Sequence, residues 1–241
     1  VRLPHWNGSV LMRRTKAMPD SFSVELSRTF YLAYPRTLLI GAKDSPSNAT
    51  FHYRLTKKWW LTEDEIVAQQ ELIGWICRGP ERVGAIHLIE WHPIPGLGNE
   101  DFYFELDTYT QSAEALAGAL ATAWDMEQLS TVGPILEFHR LWMHPDHARG
   151  SLWCDVMQQL IRRRYADKFS VLIQHAFPIE YEGEEEVATL GNPPFRRRFR
   201  AMQRLYTRTM GVVPFPGPEA EEGWMWRALS KGVPEPKVRR E

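Results

Sequence analysis

The most chemically capable stretch of this chain runs from Pro134 to Tyr165. Ile135–Met143 reads as a strand, the segment His144–Gly150 as a tight turn, and Ser151–Tyr165 as an amphipathic helix. A turn of this kind aims successive backbone N–H groups at one point, and the helix dipole adds to their pull. Arg149, Gly150, Ser151 and Leu152 would therefore suit a phosphate, against the plainer reading of an ordinary turn ahead of a helix. Glu137 and His139 are two residues apart and share one face of the strand, as an acid–base site or as a hydrogen-bonded sheet face. His139, His144 and His147 straddle a strand end and a turn without the spacing of a zinc site, so no metal is expected. Cys154, near the helix start, is either a thiol of lowered pKa or a core residue. No nucleophile elbow, P-loop or dinucleotide fingerprint occurs.

Periodicity supplies the elements that must hold these groups. LIGWIC (Leu72–Cys77) and VGAIHLIEW (Val83–Trp91) flank RGPER and predict an antiparallel hairpin. Thr62 and Glu65 match a capping box, which predicts a short helix to about Gln70; one helix over Glu63–Cys77 is the rival. Phe102–Leu106 reads as a short strand. Ala113, Leu116, Ala117, Leu120 and Trp124 share one face of a helix over Ser112–Trp124, with Ser112 as N-cap. Phe169–Ala176 reads as a second buried strand, so the strand–helix–strand unit predicts a parallel pair with a right-handed crossover. Phe195–Met210 reads as a helix stopped by Gly211, and Trp224–Leu229 as a last strand. Earlier, a strand around Ser9–Arg13 and a helix then a strand within Ser21–Ile40 are expected, with a loop over Lys43–Thr50.

The totals set outer bounds. A chain of 241 residues, 44% hydrophobic and 24% charged, has enough apolar surface for a sizeable core. With 29 basic and 30 acidic residues, nothing global points to nucleic acid. Two cysteines make no disulfide framework, and no apolar run approaches a membrane span, so a soluble, cytoplasmic protein with no membrane or nucleic-acid partner is expected. The acidic run Glu180–Glu186 would attract a cationic amine, and the arginine face of Phe195–Met210 an anion; solvated surfaces are the plainer readings.

Three segments, in order, resemble the GNAT superfamily of acyl-CoA N-acyltransferases. RLWMHPDHARGSLW (Arg140–Trp153) is similar to that family's V-x-P-x-x-R-G-x-G-x-G strand-turn-helix, and Phe169–Gly183 to its next strand, which splays from its neighbour to admit the acyl-CoA. RLYTRTMGVVPFP (Arg204–Pro216) is similar to its F-Y-x-x-x-G-F helix end. The resemblance implies an α/β (α+β) fold with a mixed, twisted central sheet flanked by helices, and an extra helix before the central strand. It covers 70–229 of a single domain spanning 1–229, in which 1–60 is poorly resolved by pattern, followed by a polar, frayed tail at 230–241.

The resemblance also implies acetyl-CoA or another acyl-CoA as co-substrate and a small-molecule or peptide amine as acceptor, and it leaves room for a homodimer. A backbone N–H within Leu141, Trp142 and Met143 would polarise the thioester carbonyl, Glu137 or His139 would serve as base, and Tyr206 would protonate the leaving thiolate. The turn departs from the family pattern. Read without a gap after Pro145, Ala148, Ser151 and Trp153 stand where Arg or Gln and two small residues belong. Sliding by one keeps Arg149 and Gly150 but puts Leu152 and Cys154 at the small positions. Trp153 would crowd a pyrophosphate unless its ring turns toward the core. Two alternatives follow: a non-catalytic GNAT-like binding domain, and a long-chain N-acyltransferase with Trp and Phe lining a wider channel.

Overall fold

The structure, a computed structural model, describes residues 35–40, 49–148, 152–178, 181 and 186–237. The expected strand at Ser9–Arg13, the expected helix ahead of Pro35, most of the acidic run and the turn residues Arg149, Gly150 and Ser151 lie outside the described residues.

Apolar and β-branched runs build one open sheet. In chain order its strands are β1 (Pro35–Ile40), β2 (Ala49–Leu55), β3 (Trp59–Trp60), β4 (Val67–Arg78), β5 (Glu81–Pro93), β6 (Ile135–Met143), β7 (Val171–His175), β8 (Val213–Pro214) and β9 (Trp224–Ala228). Their spatial order is β1-β2-β4-β5-β6-β7-β9-β8, with β3 paired to β4. Every pairing is antiparallel except β6 with β7, the parallel pair expected from the strand–helix–strand unit. The described chain is thus a mixed α/β fold whose sheet is mostly antiparallel.

Helices cover both faces. α1 (Asn99–Asp107), α2 (Gln111–Ala123) and α3 (Met126–Val132) precede β6; α4 (Leu152–Leu160), ending in a π-helical turn Ile161–Tyr165, joins β6 to β7; α5 (Pro193–Met210) and the short α6 (Glu219–Glu222) follow β7. Strand alternation sorts the core into two layers. Leu88, Leu136, Phe138, Leu172 and Met225 pack under α4 and α5. Ile89, Trp91, Ile135, Val171, Ile173 and Trp224 pack under α1–α3. Among the described residues, no helix is long and apolar enough to cross a membrane.

Several expectations change. The capping box at Thr62 starts no helix: Glu65 turns left-handed (φ 55°), Thr62 gives its hydroxyl to the Glu105 carboxylate at 2.7 Å, and β4 begins two residues later. The rival helix over Glu63–Cys77 fails for the same reason, since Val67–Cys77 pairs with β5 and Leu72–Cys77 with β2 as well. Phe102–Leu106 is helical, not a strand. Phe102 and Leu106, four apart, are both fully buried, whereas Phe104 between them is 66% exposed, a period of four rather than two. The cap of α2 is Thr110, which accepts from Ala113 N–H, rather than Ser112. Three helices, not one, precede the central strand, because Asp125 caps a further turn of helix. The tail does not fray up to residue 237: Trp124 Nε1 donates to the Pro234 carbonyl and Lys237 N–H to Ala123, each at 2.7 Å.

Gly74 in β4 illustrates how tightly the sheet is closed on the α4 side. A Cβ built there would meet the Phe51 ring at 2.4 Å and Tyr53 Cβ at 2.7 Å, and those two rings stack 5.6 Å apart. Gly74→Ala is expected to cost about 1–3 kcal/mol of stability in urea denaturation; an unchanged midpoint would show that the aromatic pair moves freely.

Candidate active site

β6 and β7 pair only at Leu136, Glu137 and Phe138 with Leu172, Ile173 and Gln174. Beyond Phe138, β6 continues to Met143 paired with β5 alone, and the two strands part. The gap opens into a cleft of about 840 Å³ that reaches both faces of the sheet. Glu137, His139, Leu141 and Met143 reach it from β6, His175 from β7, Gln111 and Ser112 from α2, Trp153 from α4 and Tyr206 from α5.

His139 owes its position to a β-bulge. The β5–β6 register passes from Leu88 with Phe138 to His87 with Arg140, which leaves His139 as the extra residue. Its Nδ1 lies 2.7 Å from Glu137 Oε1, as sharing one strand face predicts. A carboxylate only accepts, so Nδ1 carries the hydrogen and Nε2 is left as the basic nitrogen. The other oxygen of Glu137 accepts from Trp91 Nε1 at 2.9 Å. Burial alone would push the Glu137 carboxyl up; the charge and hydrogen bond of His139, the Trp91 donor and the charge of His87 outweigh it and hold the group below the ordinary carboxylate range.

The network continues across the sheet. The His87 and His139 rings meet in a T-shaped contact, with centroids 4.9 Å apart, and His87 Nε2 lies 3.0 Å from Glu71 Oε2. Glu71 and His87 were absent from the sequence reading. The signal was available: Glu71 directly precedes the apolar run LIGWIC, and His87 interrupts the mainly apolar VGAIHLIEW.

An aromatic group closes the α4–α5 side. Phe138 stacks on Trp153 (6.3 Å), and Tyr206 meets both edge-on at 5.9 Å. Trp153 is 2% exposed, so its ring does turn inward. On the opposite side, His175 lies between Phe177 and Trp224, and its Nε2 donates to the Glu222 carbonyl at 2.7 Å. Coverage of its ring faces lowers the His175 pKa, against the raising effect of that hydrogen bond.

The remaining site residues separate. Trp142 points to the opposite face from its neighbours, packing near Ile73 and Ala85. Leu152 is buried in the core at the start of α4. Ala148 reaches the cleft mouth, while Arg149, Gly150 and Ser151 fall outside the described residues. Cys154 hydrogen-bonds Thr209 at 3.4 Å, and burial pushes its thiol up, as for a core cysteine. The His144 and His147 rings lie 5.9 Å apart, and no metal-binding group occurs among the described residues.

The depressed pKa of Glu137 has a stability consequence. The unfolded carboxyl titrates near about 4.3. The folded one titrates lower, so its contribution is complete above that pH and is lost as pH falls through the folded value. Trp91→Phe removes one donor to the carboxylate and narrows the gap. The variant should lose about 1–3 kcal/mol at pH 7 and show a shallower fall in stability toward pH 3 than the wild type. Melting curves across that range check it; parallel curves would mean that the Trp91 donor has no part in holding the Glu137 carboxyl down.

Comparison with known proteins gives this geometry no family: no protein-family description matches the chain, and no curated protein matches it.

Proposed function

We propose that this protein is an acyl-CoA-dependent N-acyltransferase of the GNAT fold. It passes an acyl group, most simply acetyl, from the thioester to an amine by direct attack in a ternary complex. The observation that carries this reading is the parting of β6 from β7 immediately after Phe138, with an imidazole–carboxylate pair on β6 and a tyrosine on α5 at the same cleft. The cleft volume falls in the range of small-molecule sites.

Each step then has a group. The acceptor nitrogen attacks the thioester carbonyl, forming the C–N bond. Its surplus proton goes to Nε2 of His139, whose Nδ1–H is held by Glu137. Negative charge gathers on the carbonyl oxygen, where backbone N–H groups of β6 beyond Phe138, within Leu141–Met143, can meet it. The C–S bond breaks, and the leaving sulfur takes the proton of the Tyr206 hydroxyl. The pyrophosphate belongs at the turn before α4. The inward ring of Trp153 supports that placement, since a tryptophan at this position takes no space from the turn.

Binding and chemistry are tested separately. Acetyl-CoA or CoA at a hundred times its Kd should stabilise the fold by about 2.7 kcal/mol, read as a rise in Tm; no shift at millimolar CoA would sink the proposal. Given an acceptor amine, His139→Gln should lower kcat by about 10²–10⁴-fold, and Tyr206→Phe should slow turnover with CoA binding intact. Unchanged turnover in either variant would remove that residue from the mechanism.

A further inference from the structure

Gln174 is the last residue of β7 that pairs with β6, at the level where the cleft closes. It is 1% exposed, and neither its amide oxygen nor its amide nitrogen meets a hydrogen-bond partner among the described residues. Its cross-strand neighbours are Phe138 on β6 and Met225 on β9, both in the core under α4 and α5. Residues level with one another in a sheet point to the same side, so the Gln174 amide lies on that side too. Phe138 also lines the cleft, so the amide lies next to a lining side chain, at the level of the closed end. Buried amides are nearly always bonded. A leucine or methionine would fill this position without forfeiting the hydrogen bonds that the glutamine makes to water in the unfolded chain.

We infer that Gln174 reads the acyl group, and that the preferred donor is a short-chain acyl thioester carrying a hydroxyl or oxo group rather than a plain hydrocarbon. This rests on the acyl-CoA reading. The bulky body of the donor enters where the strands are furthest apart, near Met143 and Ala148. The acyl group leads and points to the closed end. Two or three residues of strand, roughly 7–10 Å, separate Arg140–Leu141 from the level of Phe138 and Gln174. The glutamine side chain spans part of that distance. An acetyl methyl stops short of the amide; a somewhat longer chain reaches it, and a polar atom on that chain supplies the missing partner. A hydrocarbon chain leaves the amide as unbonded as before, so the site discriminates by hydrogen bonding and not by size.

The test measures affinities of CoA, acetyl-CoA and two matched pairs, butyryl with 3-hydroxybutyryl-CoA and hexanoyl with 3-hydroxyhexanoyl-CoA, by calorimetry on the wild type. At least one hydroxyacyl member should bind about tenfold tighter than its hydrocarbon match. Gln174→Leu and Gln174→Met should abolish that preference while still binding CoA, and their free Tm should equal or exceed that of the wild type. Equal affinities within both pairs, or a preference that survives both substitutions, would overturn the inference alone. Failure of CoA and every thioester to bind would instead overturn the acyl-CoA reading beneath it.

Discussion

Backbone pairing between β6 and β7 ends at Phe138 and Gln174, while each strand stays bonded on its outer side. β5 follows β6 to Met143, and β9 follows β7 through all five of its residues. The two halves of the sheet are therefore fixed independently, and their divergence is a wedge held from outside. Backbone polar groups on the inner edges of the wedge need partners. Among the described strands none fills the gap, so what stands beside those edges is the cleft and the side chains of α2, α4 and α5. The bulge at His139 falls one residue past the last parallel pair, and it twists β6 away from its neighbour while turning the imidazole toward the opening.

Two buried carboxylates in this sheet meet the cost of burial in different ways. Glu90 is 1% exposed and receives Arg164 through three contacts of 2.8–3.1 Å, with Tyr165 O–H at 3.0 Å. The π-helical turn at the end of α4 lets two consecutive residues reach one carboxylate. A guanidinium never gives up its proton at ordinary pH, so Glu90 stays paired as a pin between α4 and β5. Glu137 is held by an indole and an imidazole. Position decides the rest: Glu137 borders the cleft, and Glu90 lies under α4.

Much of the scaffold was legible because it follows simple periods. The mainly apolar run of Ile135–Met143, interrupted by Glu137, His139 and Arg140, the 3.6-residue spacing in α4 and α5, and the Gly211 stop (φ 70°) each specify an element locally. What misled was chemistry with two uses. Thr62 and Glu65 carry the residues of a cap, but the following run has more to gain by pairing with two strands than by starting a helix. Asn99 fixes α1 against α2 and α3 through contacts to Ala121, Trp124 and Met126, which lie 22 to 27 residues away. No local pattern announces such a clamp. The Glu137–His139 pair was readable from i, i+2 spacing. Its extension to His87 and Glu71 depends on strand register, which a single sequence does not state.

The eroded glycine pattern before α4 takes on a different sense once the direction of Trp153 is known. Small residues suit such a turn because a Cβ there would stand between the backbone N–H groups and a phosphate. That argument applies to side chains that project from the turn. Trp153 projects the other way: its indole is stacked on Phe138 and meets Tyr206, where it forms part of the cleft wall. Leu152 is likewise buried rather than standing over the helix start. Under the acyltransferase reading, the large residues at these two positions shape the binding channel and need not obstruct phosphate. The same ring braces Tyr206, so a substitution at Trp153 would disturb the proposed acid as well as the channel wall.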